Sequence, residues 1–328
     1  MEAKAVVFTD KMKVAFQAVE IPEPARDQVL IDVEYSWISI GTESSFLRQE
    51  RISGEMAYKE GDPSPFPHVP GYQKVGVIRA IGPDVEGLAV GDYVFATMGE
   101  VNGMFFPSGG HISPSLTDAS QVWKLPQGAN PIAYSGLVLT QVGYNCGMRP
   151  PVQSGDVAVV IGDGLVGQWA AQTLLHRGAE VIVLGRHEER LRLLPESIRG
   201  INVKEVQVTE AVQAYKGINI VVDSVGAMDT FYELQPLMKQ NSHFVSAGFL
   251  GTTGTIDIQT LRAQEITLYC PSGGDKVRLD ATLQGIDEGW LLTEELITHQ
   301  FSVEQAAEAW ELILDKRQFC LGVVLKWK

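Results

Sequence analysis

The 328-residue sequence contains little cysteine, few basic side chains and no long apolar run. Its 3 cysteines, Cys146, Cys270 and Cys320, are too few for a disulfide framework or a four-cysteine zinc lobe, and they favour a reducing compartment. The 26 basic and 40 acidic side chains give a net charge of −14. Such a surface repels a phosphate backbone, so nucleic acid is not an expected partner.

Membrane-spanning segments are missing from the pattern as well. A spanning helix needs roughly 18 or more apolar residues, and Gly, Asp or Gln interrupts each apolar run before that length. The first residues alternate like a strand and do not have the pattern of a secretory signal peptide. We therefore expect a soluble, cytoplasmic protein that does not bind membranes. At about 100 to 200 residues per domain, the length predicts two domains.

Short alternating apolar runs fill the chain up to residue 126. KAVVF, QVLIDVEY, KVGVIRAIG and DYVFATM, separated by Gly, Pro and Asp, are typical of strands and predict a small β-rich domain. Residues 43–67 and 98–115 lack this alternation. We interpret both as loops, which either carry binding groups or are solvated excursions of the surface.

From Asp156 onward the pattern alternates between strands and helices. VAVVI is wholly apolar, GDGLVGQWAAQTLLHRGA has apolar residues at helical spacing, and VIVLG follows as a second strand. The pattern continues through INIVVDSVG, SHFVSAGFLG and ITLYCPSGG, and the chain returns to a last strand in LGVVLKW. Apolar strands that alternate with amphipathic helices predict an α/β fold with a parallel sheet covered on both faces.

Three glycines mark the first strand-to-helix turn as a dinucleotide-binding motif. Gly162, Gly164 and Gly167 form G-x-G-x-x-G directly after VAVVI, and Leu165 and Val166 begin the helix. The first glycine permits a tight turn, the second lets a pyrophosphate approach, and the third lets helix and strand pack closely. The helix N-terminus then attracts the phosphates. We also expect Ser224 and Gly248, which come at the ends of later strands, to border the cofactor.

The end of the second strand indicates which nicotinamide cofactor is bound. NAD-preferring sites carry an acidic residue there for the ribose 2′-OH, whereas this strand ends in Gly185, Arg186 and His187. A glycine leaves room for a 2′-phosphate and an arginine can hold it, so NADP is expected rather than NAD, with Arg190 also nearby. Alternatively, Arg186 and Arg190 belong to a solvated helix face and pair with the glutamates between them.

Motifs along nearly the whole chain resemble the medium-chain dehydrogenase/reductase superfamily, which contains the zinc alcohol and polyol dehydrogenases. The motifs are EIPEPARDQVLIDVEYSWISIGTE, PHVPGYQKVGVIRAIGPDVEGLAVGDYVFA, SGGHISPSLTDASQVWKLP, VVIGDGLVGQWAAQ and LITHQFSVEQAAEAWELI. The resemblance implies a GroES-like catalytic domain over residues 1–126 and 271–328, and a Rossmann domain over residues 127–270. It also implies a homodimer or homotetramer formed through the Rossmann edge strand near residues 266–269.

The zinc ligands of that superfamily are replaced in this sequence. Ile40, Tyr72 and Gln73 stand where the first cysteine and the G-H-E histidine and glutamate are expected, and the later cysteine falls near Val138. Apolar side chains do not coordinate zinc, tyrosine rarely does, and a neutral amide is a poor ligand. No cysteine lies in the segment of the structural zinc lobe, so we expect the protein to bind no zinc.

A substitute metal site is conceivable from His68, His111 and Glu100. An isolated histidine in a loop is more often a surface residue, and we favour that interpretation for both histidines.

Without a metal, hydrogen-bond donors must polarise the reacting carbonyl group. The resemblance places the Thr42 hydroxyl in the proton relay and Tyr72 at a former ligand position. We therefore predict that Thr42 and Tyr72 hold the substrate oxygen and that Gln73 and Glu43 orient them. Alternatively, Tyr72 only fills the volume that zinc would occupy.

The predicted activity is NADP-dependent hydride transfer between a secondary alcohol and its ketone, on a sugar, cyclitol or similar polyol. The G-T-E segment also resembles the zinc-free bacteriochlorophyllide hydroxyethyl dehydrogenases, which gives a second hypothesis. A quinone or enone reductase is a third. The loss of every metal ligand also keeps open a fourth, a non-catalytic NADP-binding protein.

Overall fold

The computed structural model describes residues 1–54, 56–248, 254–315 and 317–328. The chain divides into two compact units, which are described separately. The first comprises Met1–Val138 and Ile297–Lys328, and the second comprises Leu139–Leu296. Residues 271–296, which the sequence assigned to the catalytic domain, group with the second unit in this division. The final residues of the predicted segment SHFVSAGFLG, 249–251, lie outside the described residues.

Within the described ranges, the strands in chain order are β1 (Glu2–Asp10), β2 (Lys13–Glu20), β3 (Gln28–Trp37), β4 (Arg51–Ser53), β5 (Met56–Ala57), β6 (Lys74–Ile81), β7 (Tyr93–Ala96), β8 (Gly99–Glu100), β9 (Ser108–Gly109), β10 (Ile112–Ser113), β11 (Ser115–Asp118), β12 (Val122–Lys124), β13 (Val157–Ile161), β14 (Glu180–Gly185), β15 (Arg199–Asn202), β16 (Ile218–Asp223), β17 (Met238–Ser246), β18 (Thr267–Tyr269), β19 (Ile297–Ser302) and β20 (Gly322–Lys326). The α-helices are α1 (Ile40–Leu47), α2 (Leu137–Met148), α3 (Leu165–His176), α4 (Glu188–Leu191), α5 (Val208–Ala211), α6 (Met228–Leu234), α7 (Ile258–Arg262), α8 (Lys276–Asp287) and α9 (Ala306–Leu314).

The first unit is the predicted β-rich domain. Its larger sheet has the strand order β12-β7-β6-β3-β20-β19, with β11 also paired to β3, and a smaller sheet has the order β10-β1-β2. The last strand joins the sheet through an antiparallel pairing in which Val324 lies opposite Trp37, so both chain ends contribute to this unit. The alternating apolar residues of β1 and β3 are buried in its cores, as Val6, Val29 and Ile31 show.

One predicted loop is partly helical. Residues 43–47 were assigned to an irregular segment, but they belong to helix α1. The carboxylate of Glu43 in the first turn accepts a hydrogen bond from the backbone N–H of Ser39, the residue before the helix. A carboxylate at this position satisfies a free N–H and stabilises the helix dipole. This local capping contact has no apolar periodicity, and the alternation pattern therefore missed the helix.

The second unit is the predicted Rossmann sheet. Its six parallel strands have the order β15-β14-β13-β16-β17-β18, the order of a doubly wound dinucleotide-binding sheet. All five residues of β13 are buried, as expected for a strand covered on both faces. Helix α3 packs one side through Trp169, Ala170 and Leu174, each fully buried. The α/β fold class, with a GroES-like and a Rossmann domain, is thereby confirmed.

Among the described residues, no helix is both long and apolar enough to cross a membrane.

Candidate active site and cofactor-binding loops

The turn between β13 and α3 has the geometry that the three glycines predicted. Gly162 adopts φ +114°, a left-handed conformation that side-chain-bearing residues rarely adopt. A Cβ on Gly167 would lie 2.1 Å from the Gly162 carbonyl oxygen, so only glycine lets the helix approach the strand. Around Gly164, in contrast, a Cβ would meet no atom within 4 Å. The turn is thus closed on the protein side and open where a pyrophosphate has to approach.

Helix α3 begins beside this open position. Gly164 is the residue before its first turn and supplies no side-chain cap, and Leu165 and Val166 are half-buried in that turn. The first N–H groups of a helix have no intrahelical acceptor, and with the helix dipole they favour an anion. The residues therefore fit the pyrophosphate of a dinucleotide.

The other predicted cofactor residues lie at the same edge of the parallel sheet. Ser224 follows β16, and its hydroxyl donates to the Ile161 carbonyl over 2.8 Å, which ties the end of β16 to β13. Gly248 follows β17 and donates its N–H to the Asp223 carbonyl over 2.9 Å. The structure thus brings the predicted residues of β13, β16 and β17 to one edge, where such sheets bind their ligands.

The loop after β14 is held by a residue that the sequence interpretation missed. Asp163 lies between the first two glycines and is 5 % exposed. Its carboxylate accepts from the backbone N–H groups of Arg186 and His187 over 2.7 and 2.8 Å. It also contacts His187 Nδ1 at 3.0 Å and Arg190 Nη1 at 3.4 Å. Burial raises the pKa of Asp163, but these hydrogen bonds outweigh burial and leave the pKa lowered.

Arg190 was predicted either to contact the cofactor or to pair with its neighbouring glutamates. In the structure it reaches Asp163, and its carbonyl oxygen accepts from the buried Gln168 side chain over 2.8 Å. The exposed ion pair of α4 joins Arg192 to Glu188 instead. Arg186 is exposed, and its guanidinium bonds to no other residue in the part of the chain that the structure describes.

In the first unit, a chain of buried hydrogen bonds ends at Tyr72. The Tyr72 phenol donates to Ser39 Oγ over 2.6 Å, and the Ser39 N–H donates to Glu43 Oε1 over 2.6 Å. Thr42 also hydrogen-bonds to the phenol. Burial raises the pKa of Tyr72 to about 12, although the hydrogen bonds of the phenol with Ser39 and Thr42 act in the opposite direction. Three of the four predicted catalytic residues, Thr42, Glu43 and Tyr72, therefore lie together, and the phenol is protonated at neutral pH.

His111 continues this chain on the other side of Glu43. Its Nε2 lies 2.9 Å from Glu43 Oε2, and its Nδ1 lies 2.8 Å from Ser36 Oγ. The Trp327 indole also donates to Ser36 Oγ over 2.9 Å. The interpretation of His111 as a surface residue is wrong, because its side chain is fully buried. Gly71, with φ +85°, packs directly on the His111 ring, where a Cβ would lie 2.7 Å from Nε2.

His68 is buried too, and the surface interpretation is also wrong for it. Its Nδ1 lies 2.6 Å from the Pro65 carbonyl oxygen, and its ring stacks on Phe66 with centroids 5.6 Å apart. Burial lowers the pKa of His68, which favours the neutral ring. The side chain is thus part of an aromatic cluster.

The expected zinc positions offer no donor set that fits the metal. Ile40 begins α1, and the Gln73 amide is fully buried and donates to the Trp37 carbonyl over 3.3 Å. Glu100 accepts from Gln28 over 2.5 Å. Over the described residues, no group of three or more His, Cys, Asp or Glu side chains is placed to hold a metal ion, the set of His68, His111 and Glu100 included.

Two family comparisons agree with the fold. Residues 25–127 match the alcohol dehydrogenase GroES-like domain, and residues 166–286 match the zinc-binding dehydrogenase family. The protein belongs to the medium-chain dehydrogenase/reductase superfamily. It is accordingly an oxidoreductase of the medium-chain type.

Relatives of this medium-chain oxidoreductase differ in substrate. It is 25% identical over 333 residues to the 2-desacetyl-2-hydroxyethyl bacteriochlorophyllide A dehydrogenase of Rhodobacter capsulatus, a match that covers 100% of this chain and 99% of the relative. It is 26% identical to the quinone oxidoreductase of Homo sapiens, over 90% of this chain and 88% of the relative.

Solved structures show the same fold. A Sinorhizobium meliloti 1021 protein bound to NADP matches with a TM-score of 0.85 at 18% identity, covering 100% of both chains. A short chain alcohol dehydrogenase of Escherichia coli CFT073, complexed with NADH, matches with a TM-score of 0.84 at 21% identity and covers 99% of both chains.

Proposed function

We propose that this medium-chain oxidoreductase interconverts a secondary alcohol and its ketone with NADP(H) and without zinc, on a sugar, cyclitol or similar polyol. The observation that carries the proposal is the buried hydrogen-bond chain that ends at the Tyr72 phenol, since Tyr72 stands at a zinc-ligand position of the family. When bound, NADP(H) supplies or takes up the hydride. The chain's own residues must then hold the substrate oxygen and move its proton.

Tyr72 is suited to donate that proton. With a pKa of about 12, its phenol is neutral at physiological pH and can donate a hydrogen bond to a carbonyl oxygen. During ketone reduction the carbonyl oxygen develops negative charge. The phenol proton, which is donated to Ser39 Oγ in the structure, would turn to that oxygen and transfer to it, leaving a phenolate. Hydrogen bonds with Ser39 and Thr42 and the positive charge of Arg51 favour the resulting phenolate, whereas burial and the negative charge of Glu43 oppose it and favour return of the proton. In alcohol oxidation, the same groups act in reverse.

Glu43 supports this arrangement from behind, because it holds Ser39 through the backbone. The role predicted for Gln73 stays a prediction. Its amide donates to the Trp37 carbonyl and orients that backbone segment.

The loop after β14 favours NADP over NAD. Gly185 ends the strand without an acid, and the neighbouring Arg186 guanidinium is exposed. A 2′-phosphate would find a cation there, whereas the Asp163 carboxylate beside that strand end is buried and accepts from the loop's own N–H groups rather than from a ribose 2′-OH. The structural neighbour bound to NADP and the one complexed with NADH show that the fold accommodates either cofactor.

The test follows nicotinamide absorbance while the purified protein is offered polyols, ketoses, simple ketones, enones and quinones, with and without a chelator. We expect turnover of an alcohol/ketone pair that the chelator does not reduce. Tyr72→Phe should lower kcat about a hundredfold and leave NADPH affinity unchanged, because it removes the general acid. Tyr58→Phe is the matched control, since the Tyr58 hydroxyl donates to the Asp62 carbonyl, away from Ser39 and Thr42 in the hydrogen-bonding pattern of the described residues.

Several outcomes would overturn the proposal. If Tyr72→Phe keeps kcat within about threefold of wild type, the phenol has no catalytic role and Tyr72 only fills space. If the chelator abolishes turnover, the reaction requires a metal ion. Binding of NADPH with no turnover of any compound would favour a non-catalytic protein.

A second candidate is oxidation of a hydroxyethyl group on a chlorin ring. The observation that favours it is the end-to-end match to the Rhodobacter capsulatus dehydrogenase, whose name states that chemistry. Turnover of a hydroxyethyl chlorin in the same assay, with polyols inactive, would select this candidate. Turnover of quinones or enones alone would select a reductase like the human relative.

A further inference from the structure

The position of the Asp163 side chain limits which residue can stand at the end of β14, because it packs against Gly185. A Cβ on Gly185 would lie 2.6 Å from Asp163 Oδ2 and 2.7 Å from the Asp163 Cβ. The carboxylate of the glycine-rich turn therefore occupies the space where the side chain of residue 185 would begin. The strand cannot carry an acidic residue at this position while Asp163 keeps its present place.

The Asp163 carboxylate is saturated by its own protein. Oδ2 accepts from the N–H groups of Arg186 and His187, and Oδ1 lies 3.4 Å from Arg190 Nη1. Only 5 % of the residue is exposed. It therefore has neither the surface nor the free lone pairs to bind a ribose directly, and it acts on a ligand only through the loop it holds.

Helix α3 provides a second attachment for the same loop. Gln168, fully buried, donates its amide to the Arg190 carbonyl over 2.8 Å. The segment from Arg186 to Arg190 is thereby fixed at both ends to the turn and helix of the cofactor motif. Its exposed Arg186 guanidinium, which is bonded to no other described residue, projects from an anchored backbone.

We propose that Asp163 is a positioning residue that sets the preference between 2′-phosphorylated and unphosphorylated nicotinamide cofactors, by holding the loop that carries Arg186. The inference rests on the proposed binding of NADP(H). It adds that the discrimination depends on a carboxylate that never touches the cofactor. Because the anchored loop is already ordered, less conformational entropy is lost when Arg186 binds a phosphate. Loss of the Asp163 anchor therefore weakens binding of the 2′-phosphorylated cofactor more than binding of the unphosphorylated one.

The experiment measures Kd for NADPH and for NADH by fluorescence titration, so that no substrate is needed. The variants are Asp163→Asn, Arg186→Ala and the double variant. Glu188→Gln is the matched control, because Glu188 is an exposed acid of the same loop that pairs with Arg192. Thermal unfolding of each variant reports whether the unit still folds.

We expect Asp163→Asn and Arg186→Ala each to weaken NADPH binding about tenfold and NADH binding less than about twofold. The double variant should be no weaker for NADPH than Arg186→Ala alone, because Asp163 acts through Arg186. Glu188→Gln should leave both Kd values unchanged.

Other results separate the two proposals. If wild type prefers NADH, the NADP assignment is wrong, and the inference survives only if Asp163→Asn still weakens NADPH more than NADH. If Asp163→Asn weakens both cofactors equally, strengthens NADPH or leaves the ratio unchanged, the inference is overturned while cofactor binding stands. If wild type binds neither cofactor, the proposed function fails and the inference fails with it.

Discussion

Lys74, which follows Gln73 in the sequence, is a fully buried lysine at the start of β6. Its ammonium group donates to the Thr97 carbonyl, and no carboxylate is bonded to it in the described structure. Burial lowers its pKa from 10.5 to about 7. Removing a charge from water without a paired anion is unfavourable, so this residue reduces the stability of the fold.

The sign of the pH dependence follows from the lowered pKa. The unfolded chain binds the Lys74 proton up to a pKa near 10.5, whereas the folded chain releases it near 7. Stability is therefore lowest below pH 7, rises between pH 7 and 10.5, and is unaffected by this group above 10.5. The shift corresponds to on the order of 4 kcal/mol at the acidic end.

Lys74→Met should accordingly stabilise the protein at pH 6. We expect a gain of about 3 kcal/mol, because the avoided desolvation exceeds the roughly 1 kcal/mol of the lost hydrogen bond. The gain should shrink steadily as the pH rises toward 10. Urea unfolding of both proteins at pH 6, 8 and 10 measures it, and a gain that does not change with pH would show that Lys74 does not titrate in the folded state.

At the scale of elements, the β13–α3 turn separates residues that hold the fold from residues that leave room for a ligand. Gly164→Ala should change the free energy of unfolding by less than about 1 kcal/mol, because the new methyl group meets no atom and the backbone is extended. The same methyl group would obstruct a pyrophosphate, so NADPH binding should fall at least about tenfold.

Gly167→Ala should behave in the opposite way in the absence of ligand. Its methyl group would lie 2.1 Å from a backbone oxygen, so we expect at least about 2 kcal/mol of destabilisation. Urea unfolding together with NADPH titration measures both variants. Equal destabilisation by the two substitutions would contradict the distinction between a structural and a ligand-facing glycine.

The buried contact of helix α1 with the segment before β10 gives another prediction. Glu43→Ala and His111→Ala should each cost on the order of 3 kcal/mol, since each leaves a buried polar partner unsatisfied. The double variant should cost clearly less than the sum, with a coupling of about 1 kcal/mol or more. Urea unfolding of the four proteins measures the cycle, and Glu188→Ala, at an exposed ion pair, should change stability by less than about 1 kcal/mol.

Strands and helices could be predicted from the sequence where buried residues recur at a regular spacing. VAVVI matches β13 residue for residue, and the tight turn at Gly162 and the close packing at Gly167 are as predicted. Asp163 was not predictable, because its partners lie more than 20 positions away in the loop after the neighbouring strand and no period relates them. His111 was missed for a similar reason: its burial depends on the pairing of Ala5 with Ile112, inside a segment without alternation.

For the molecule as a whole, the net charge of −14 and the anionic cofactor are compatible because recognition is local. Within a Debye length of about 8 Å at physiological salt, a nearby guanidinium and a helix N-terminus outweigh distant acids. Two of the three cysteines are shielded from solvent. Cys146 and Cys320 are buried, and burial raises the pKa of Cys146 to about 12. Only Cys270 is exposed, so thiol chemistry has little access to the fold.

The predicted assembly of copies depends on the free edge of the parallel sheet. Among the described residues, β18 is the last strand in the sheet order, and its residues Thr267, Leu268 and Tyr269 pair with β17 on one side only. An uncharged strand with open N–H and C=O groups tends to pair with another strand, and a second copy of the chain is the partner we predict. Thr267 is exposed, so a charge placed there should not disturb the core.

Thr267→Lys should therefore weaken a dimer about tenfold or more without lowering the midpoint of thermal unfolding of the monomer, because each copy would bring a positive charge to the shared edge. Light scattering over a range of protein concentrations measures the association. Gln213→Lys, an exposed position in the same unit, adds the same charge away from that edge and should leave the dimer intact. If both lysine variants associate as tightly as wild type, the copies meet through another surface; if wild type is a monomer, the edge is protected without a partner.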